Sequence, residues 1–334
     1  MTYSPTSDPV AAPPRVSVIV PARNEEGQIE GCVRSILEQC VDGGLEVIVS
    51  DGSSTDHTAT VAHAAGARVV PNRRGTTPAG LNVALEHALG EIVVRFDAHA
   101  EMPPGYVAAC VAALEREPGR ACVGGWRRVA GRGPWGRATA RALSSRVGVG
   151  NPRLWRAPRG ADGTLEVDTV ALGAWYTREL QALGGWDERF LRNQDFELNH
   201  RLRRAGGRVV FDPRIWSVYR PRESLRAISR QYWDYGRFKA LMVVQEPRSV
   251  RPRQLAPVGL LAAAVSAAAP GPLRATGRTA LGAYGALLAA AAVRGREGWR
   301  TSAVLATMHT AWGIGFAVGL GRLLLFREHE DGTG

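Results

Sequence analysis

The first apolar run, Val16-Ser17-Val18-Ile19-Val20, stops at Pro21 and predicts a buried strand. A helix follows, with Asn24 as its N-cap and Ile29, Val33, Ile36 and Leu37 on one face. Leu45 to Val49 predicts a second strand, ending at the turn Asp51-Gly52-Ser53-Ser54. Thr55 or Asp56 opens a helix that runs to Ala65. Arg68-Val69-Val70 is a third strand, Thr77 to Leu89 a third helix, and Glu91 to Phe96 a fourth strand running into Asp97. Strands alternating with helices predict an α/β fold, a sheet covered by helices on both faces, with ligands at the carboxyl ends of its strands.

The pattern then loses its period. Val123 to Pro158 is rich in Gly and Arg and reads as a loop-and-helix insertion carrying Trp126, Trp135 and Trp155. Order returns at Val167 to Tyr176, with a short helix Arg178 to Leu183 and a break at Gly184-Gly185. An amphipathic helix Gln194 to Ala205 and a strand Arg208 to Phe211 follow. Ser224 to Val244 mixes Trp233, Tyr235 and Phe238 with Arg226, Arg230 and Arg237, the composition of a helix at a membrane interface. Three apolar stretches follow, Leu255 to Ala269, Thr279 to Val293 and Thr301 to Leu320. The last has the roughly 20 residues that span a bilayer, and the others are nearer about 15. A buried helical hairpin is the plain alternative. Small residues suited to close packing, and separation by arginines, favour membrane. Arg248, Arg251 and Arg253 ahead of the first stretch place that side in the cytoplasm. The expected organisation is a disordered tail (1–14), an α/β domain (15–222), an amphipathic helix and linker (223–250) and apolar helices (251–326).

Composition adds one constraint. The net charge is +11, carried by arginine with Lys239 as the one lysine, which suits phosphates on nucleotides, nucleic acids or lipids. The cysteines Cys32, Cys40, Cys110 and Cys122 show no metal or disulfide spacing, and no secretory signal is visible.

Three acidic positions carry candidate chemistry. Asp51, at a strand end before a glycine, can accept the N3–H of a uracil while Gly52 admits the ligand, although alone it is an ordinary Asp-Gly turn. Asp97 and His99, two apart at the end of the fourth strand, would face one side of extended chain and could share a divalent cation. A hydrogen-bonded structural pair is the commoner use of that spacing. Asp195 and Glu197 open an amphipathic helix, where acids favour the dipole in any case; the functional reading is a general base.

The order of these parts resembles the family 2 glycosyltransferases of the GT-A fold. The resemblance rests on Val18-Ile19-Val20-Pro21-Ala22-Arg23-Asn24-Glu25, Glu46 to Asp56, Asn72-Arg73-Arg74-Gly75, Ala79-Gly80-Leu81-Asn82 and Gly184-Gly185-Trp186-Asp187-Glu188-Arg189-Phe190, over roughly residues 15 to 240. The run Arg95-Phe96-Asp97-Ala98-His99-Ala100 and the apolar tail are most similar to the succinoglycan-biosynthesis branch. The resemblance implies a Rossmann-like mixed sheet and an inverting transfer of one sugar from a nucleotide-diphosphate donor, UDP by family habit, to a polyprenyl-diphosphate-linked saccharide in cell-surface or extracellular polysaccharide biosynthesis. It also implies a membrane-bound enzyme with its catalytic domain on the cytoplasmic face. Pro21, Ala22, Asn24, Glu25, Asp51 and Gly52 would line the nucleotide pocket. Arg74, Asn82 and Arg237 would lie near phosphates and sugar. Asp97 and His99 would hold Mg2+ or Mn2+, and Asp195 would be the base. Gly173, Ala174, Trp175, Trp186, Asp187 and Glu197 would form the acceptor side.

Two departures matter. The usual Asp-x-Asp is Asp97-Ala98-His99 here, which lowers the charge. The usual Gln-x-x-Arg-Trp is only echoed by Gln231 to Phe238, which argues against a processive polymerase. The rival readings are a polyprenyl-phosphate glycosyltransferase, a non-catalytic membrane scaffold and an anionic-polymer binder. No nucleic-acid partner is expected, because that reading explains neither the acidic sites nor the apolar tail. A nicotinamide oxidoreductase lacks its GxGxxG after the first strand.

Overall fold

The computed structural model describes residues 12–150, 152–156, 163–247 and 252–330. In chain order the elements are β1 (Val16–Ala22), α1 (Glu26–Leu37), β2 (Leu45–Asp51), α2 (Thr58–Ala64), β3 (Arg68–Pro71), α3 (Thr77–Glu86), β4 (Ile92–Arg95) and α4 (Tyr106–Glu115). Next come β5 (Arg120–Val129), α5 (Gly133–Leu143), α6 (Arg146–Val149), β6 (Leu165–Glu166), β7 (Ala174–Tyr176) and α7 (Thr177–Ala182). The chain continues with α8 (Gln194–Arg204), β8 (Arg208–Tyr219), α9 (Leu225–Gln245), α10 (Pro252–Ala268), α11 (Leu273–Ala292) and α12 (Gly298–Glu330). They form two compact units, the first running to Glu117 with Leu172–Gly185 added, the second comprising Pro118–Ala171 and Trp186–Gly334.

In the first unit, β1 lies between β2 and β4, all parallel, and β3 extends the sheet beyond β2. On the other side of β4, β7 pairs antiparallel to it with Val94 opposite Ala174. Val16, Val18, Ile19 and Val20 are all buried, because helices cover both faces of a parallel sheet. From α1, Ile29, Val33 and Ile36 enter the core at helical spacing. Each such side chain stabilises by about 1.5–3 kcal/mol when fully buried. Trp175 on β7, expected on the acceptor side, is fully buried.

In the second unit, β5 and β8 pair in parallel and β6 joins β8 antiparallel. The stretch expected to be an irregular insertion from Val123 therefore begins inside a ten-residue strand, Arg120–Val129. Gly124 and Gly125 disguised it, and packing explains them: a Cβ on Gly124 would meet the Val170 side chain at 2.8 Å, and one on Gly125 would run into the Ile215 carbonyl. The end of that insertion, at 157 and 158, lies outside the described residues. Strand β8 runs eight residues past the expected Phe211, through Pro213 to Tyr219. Of Val167 to Tyr176, where order was expected to return, Ala174–Tyr176 form β7 and the rest lies between β6 and β7.

α9 and α12 pack closely through glycines. A Cβ on Gly236 would strike the backbone of Trp312, and one on Gly315 the backbone of Trp233. Ala138, Ala142 and Leu143 of α5 join Ile228 of α9 and Val304, Leu305 and Met308 of α12 in one buried cluster. Among the described residues, one helical segment, Gly298–Leu325, is long and apolar enough to cross a membrane, and 44% of its most apolar window is buried by protein. α10 and α11 supply the other two expected apolar stretches. Arg248 and Arg251, used for orientation, lie outside the described residues.

Candidate functional site

The carboxyl ends of β1, β2 and β3 in the first unit hold most of the expected donor-site residues. Parallel register sets Pro21 beside Ser50 and Ala22 beside Asp51. The Gly52 N–H donates to the Ala22 carbonyl at 2.8 Å, drawing the two strand ends together. Gly52 leaves little room for a side chain, since a Cβ would sit 3.2 Å from that same carbonyl.

Asn24 does not cap its own helix. It takes a left-handed conformation (φ 56), and its Oδ1 accepts the Thr55 N–H at 2.9 Å. In return the Asn24 N–H donates to Ser54 Oγ at 2.9 Å, and the Glu25 N–H to Thr58 Oγ1 at 2.7 Å. Asp56 accepts from both the backbone N–H and the hydroxyl of Thr58, which holds its carboxyl below the usual range. The loops after β1 and β2 are therefore tied by side chain to backbone in both directions. Asparagine is the residue most often tolerated, after glycine, at positive φ, so its position there is a turn signal that a capping interpretation overlooks.

Asp51 Oδ2 accepts the Ser54 N–H at 3.1 Å, while its Oδ1 is buried and has no hydrogen-bond partner. Nearby on the same strand ends, Ser50 Oγ and Asn72 Oδ1 are also buried without partners. The Asn72 backbone N–H donates to the Asp51 carbonyl at 2.8 Å, and Gly80 of α3 approaches both Ser50 and Asn72 so closely that a Cβ would lie 2.7 Å and 2.9 Å from their side chains. Leaving a buried acceptor unpaired costs roughly 1–3 kcal/mol. At the carboxyl end of β2, the unpartnered Oδ1 of Asp51 is suited to receive a donor. Ser50 and Asn72 were not anticipated as site residues; their signal, a polar side chain within a buried strand end, is weak in sequence. Arg74 lies in the turn after β3. Asn82 of α3 packs against Gly185, which its φ of +65 and the absence of a Cβ both permit.

Asp97 and His99 sit in a turn, closed by the Ala100 N–H on the Asp97 carbonyl at 3.1 Å, instead of on extended chain. The alternation expected to place them on one side thus does not operate. Their neighbours are informative. Arg95, with its side chain 7% exposed, puts Nη2 3.3 Å from Asp97 Oδ1. His99 Nδ1 is 3.3 Å from Glu25 Oε1. Beneath them Cys32 is pushed up to about 12 by burial and by the negative charges of Asp97 and Glu25. Among the described residues no group of three or more His, Cys, Asp or Glu is spaced to hold a metal ion by itself. On the β7 side, the Arg95 N–H donates to Gly173 and the Tyr106 hydroxyl to Leu172, so Gly173 and Ala174 are structural partners of β4 and α4.

The second unit holds the remaining candidates. Asp195 stands in the first turn of α8, half-buried, and Trp186 Nε1 donates to its Oδ1 at 3.3 Å. The expected base and one residue of the expected acceptor side are thereby brought together. The other two carboxylates have different partners. Asp187 grips Arg189 through both oxygens, with Nη2 at 2.6 Å. Glu197 takes Arg201 in a two-pronged pair at 2.6 and 2.8 Å. Arg237 of α9 lies over the Phe238 ring at 4.9 Å.

Residues 17–180 match the family described as Glycosyl transferase family 2. This chain carries a family 2 glycosyltransferase domain. It is 28% identical over 90% of its length to succinoglycan biosynthesis protein ExoA of Rhizobium meliloti (strain 1021), covering 93% of that protein. It is also 27% identical over 68% of its length to the dolichyl N-acetyl-alpha-D-glucosaminyl phosphate 3-beta-D-2,3-diacetamido-2,3-dideoxy-beta-D-glucuronosyltransferase of Methanococcus voltae, covering 74% of it. Among solved structures it resembles the mannosyltransferase PcManGT from Pyrobaculum calidifontis in complex with GDP-Man and Mn2+, with a TM-score of 0.62 and 25% identity over 94% of this chain and 90% of that one. The fold is GT-A, and the enzyme is a glycosyltransferase of polysaccharide or glycolipid biosynthesis.

Proposed function

We propose that this glycosyltransferase moves one sugar from a nucleotide-diphosphate donor to a lipid-linked saccharide at a membrane, with inversion at the anomeric carbon. The observation that carries the donor half is the buried, unpartnered Oδ1 of Asp51 at the carboxyl end of β2. With Oδ2 already accepting from Ser54, the remaining oxygen suits a base that presents a single imide N–H, as uracil does. Guanine is the second reading, because the similar mannosyltransferase is in complex with GDP-Man.

A divalent cation fits the chemistry of the donor set only in part. Asp97 offers a hard oxygen and His99 an imidazole, a mixture suited to Mn2+ more than to Mg2+, and phosphate oxygens would have to complete the shell. When bound, the cation would offset charge on the departing diphosphate. Pro21, Ala22, Asn24, Glu25 and Gly52 shape the floor for the nucleotide, and Arg74, Asn82 and Arg237 are assigned to phosphates and sugar.

Asp195 is assigned the proton. The acceptor hydroxyl gives its proton to this carboxylate as its oxygen bonds to the anomeric carbon. The bond from that carbon to the diphosphate breaks on the opposite face, and the electron pair leaves with the nucleotide. The Trp186 N–H on Asp195 Oδ1 supports this role by fixing the carboxylate's orientation. An acceptor that is itself a phosphate would need little base catalysis, so turnover that survives loss of Asp195 would favour a polyprenyl-phosphate acceptor.

Membrane attachment is supported by the apolar length of α12 and by large apolar side chains exposed on α10, α11 and α12, among them Leu255, Val265, Leu287 and Ile314. We place the catalytic domain on the cytoplasmic face. Calorimetric titration of the full chain with UDP and with GDP, each with and without Mn2+, tests the donor assignment. Metal-dependent binding of one nucleotide, lost in Asp51→Ala and Asp97→Ala, is expected. Binding of neither nucleotide would overturn it.

A further inference from the structure

The head of α12 and the turn that leads into it carry a basic, aromatic surface within the second unit. Val293 and Trp299 are 83% and 56% exposed, an unusual display for residues of this size. Arg294 and Arg296 are exposed between them. Gly295 in the turn takes φ +73, and a Cβ there would lie 2.6 Å from Arg141 Nη1, so the end of the α5 arginine lies beside the turn. Gly298 likewise has no room for a side chain against the Ala292 carbonyl.

Glu297 fixes two more cations. It accepts from Arg137 Nη2 at 2.6 Å and from Arg300 Nη1 at 3.0 Å. Arg300 in turn lies over the Trp299 ring at 4.5 Å, and Trp299 meets Trp135 edge to face at 5.6 Å. The charges at this corner are therefore Arg137, Arg141, Arg294, Arg296 and Arg300 against Glu297. All this stands where Gly298–Leu325, the one segment of membrane length among the described residues, begins.

We propose that this corner is a docking surface for anionic phospholipid headgroups. The inference rests on the membrane reading of α12 given above. Tryptophan favours the headgroup level, where its ring is apolar and its N–H is wet. Arginine forks suit phosphate, and cations near an anionic leaflet add attraction that falls away with salt. Glu297 does not compete for the lipid, since both its oxygens are engaged by Arg137 and Arg300. The role of Arg137 and Arg300 is to hold Trp299 and the turn in place, leaving Arg294 and Arg296 to meet phosphate. The surface would fix the height of α5 and the start of α12 at the bilayer edge.

The test uses the full chain in uncharged detergent, titrated with dioctanoyl-phosphatidylglycerol, dioctanoyl-phosphatidylcholine or inorganic phosphate while tryptophan emission is followed. Half-saturation by the glycerol lipid is expected at a concentration at least about tenfold below that of the choline lipid, and the difference should shrink in 0.5 M salt. Arg294→Glu with Arg296→Glu, and the milder Gln pair, should abolish the preference while melting as the parent does. Equal response to both lipids, equal response to inorganic phosphate, or a preference unchanged in both double variants would overturn the proposal. Alkaline extraction of membranes tests the underlying reading separately. A chain retained in the pellet but lacking lipid preference fails this inference alone. A chain released yet preferring the anionic lipid fails the spanning helix alone.

Discussion

The candidate carboxylates of the two units are held in different ways. In the first, Ser50 Oγ, Asp51 Oδ1 and Asn72 Oδ1 are buried at strand ends without partners, although the surrounding loops are tied by hydrogen bonds on every side. In the second, carboxylates are committed to nearby arginines: Asp187 to Arg189, Glu197 to Arg201, Asp212 to Arg214, and Glu297 to Arg137 and Arg300. Where the loops around an acceptor are well ordered, its lack of a partner is a feature of the site rather than looseness. Where an acid already holds a fork of hydrogen bonds, its acidity is structural. By this measure Asp51 is the strongest ligand-binding candidate, and Asp187 and Glu197 are weak ones. Asp195 stands out in its own unit because its Oδ1 takes a neutral donor, the Trp186 N–H.

The largest expected effect breaks the comparison at that exception. Asp195→Asn should lower turnover by about 10²–10⁴ with nucleotide affinity unchanged, measured by steady-state rates beside calorimetry. Glu197→Gln, by contrast, should act on stability through the loss of its Arg201 pair and leave turnover within a few-fold. Equal losses in both variants would erase the distinction. Next in size is Asp51→Ala. A hydrogen bond to a charged acceptor contributes roughly 1.5–3 kcal/mol, so nucleotide affinity should fall about ten- to hundredfold while the melting temperature changes little, since removal of an unpartnered buried oxygen offsets loss of the Ser54 hydrogen bond. A fall in melting temperature with affinity intact would make Asp51 a structural residue. Smaller again is Gly80→Ala, whose Cβ would press on Ser50 Oγ and Asn72 Nδ2. Overpacking of this kind costs about 1–3 kcal/mol and should appear in denaturant unfolding together with weaker nucleotide binding.

Much of the first unit was legible because its strands are short, β-branched and buried on both faces, and its helices repeat at 3.6. β1 to β4 and the helices between them lie where the apolar pattern puts them, within a few residues. The second unit was less legible, for reasons that are tertiary. β5 contains two glycines because Val170 and Ile215 leave no room for side chains, and glycine reads as a break when those neighbours are unknown. β8 passes through Pro213, which locally ends a strand signal. In the site, Asp51 was legible as an acid at a strand end, but its partnerless oxygen is a property of packing. Asn24 was visible as a special residue, and its partner across the loops was not, since a cap and a left-handed bridge use the same side chain. The turn at Asp97 to His99 is set by one backbone hydrogen bond that no spacing rule detects.

The smallest effect concerns the thiol beneath the two acids of the first unit, and it sharpens the contrast between buried and exposed chemistry. Burial disfavours the thiolate of Cys32, and the negative charges of Asp97 and Glu25 disfavour it further, giving a value of about 12 against an ordinary 9.0. The folded state therefore holds the proton more tightly than the unfolded one. The stability linked to this group is complete below about pH 9 and declines as pH rises towards 12. In native protein at pH 8, iodoacetamide should modify the exposed Cys40 and spare Cys32, Cys110 and Cys122, all buried, with all four reacting after denaturation, as read by intact mass and peptide mapping. Asp97→Asn should lower the Cys32 value and raise its slow alkylation rate above pH 9, because one of the opposing charges has gone. A rate unchanged in Asp97→Asn would mean that burial alone sets the thiol, and that the carboxylate's field does not reach beneath the turn where the cation is assigned.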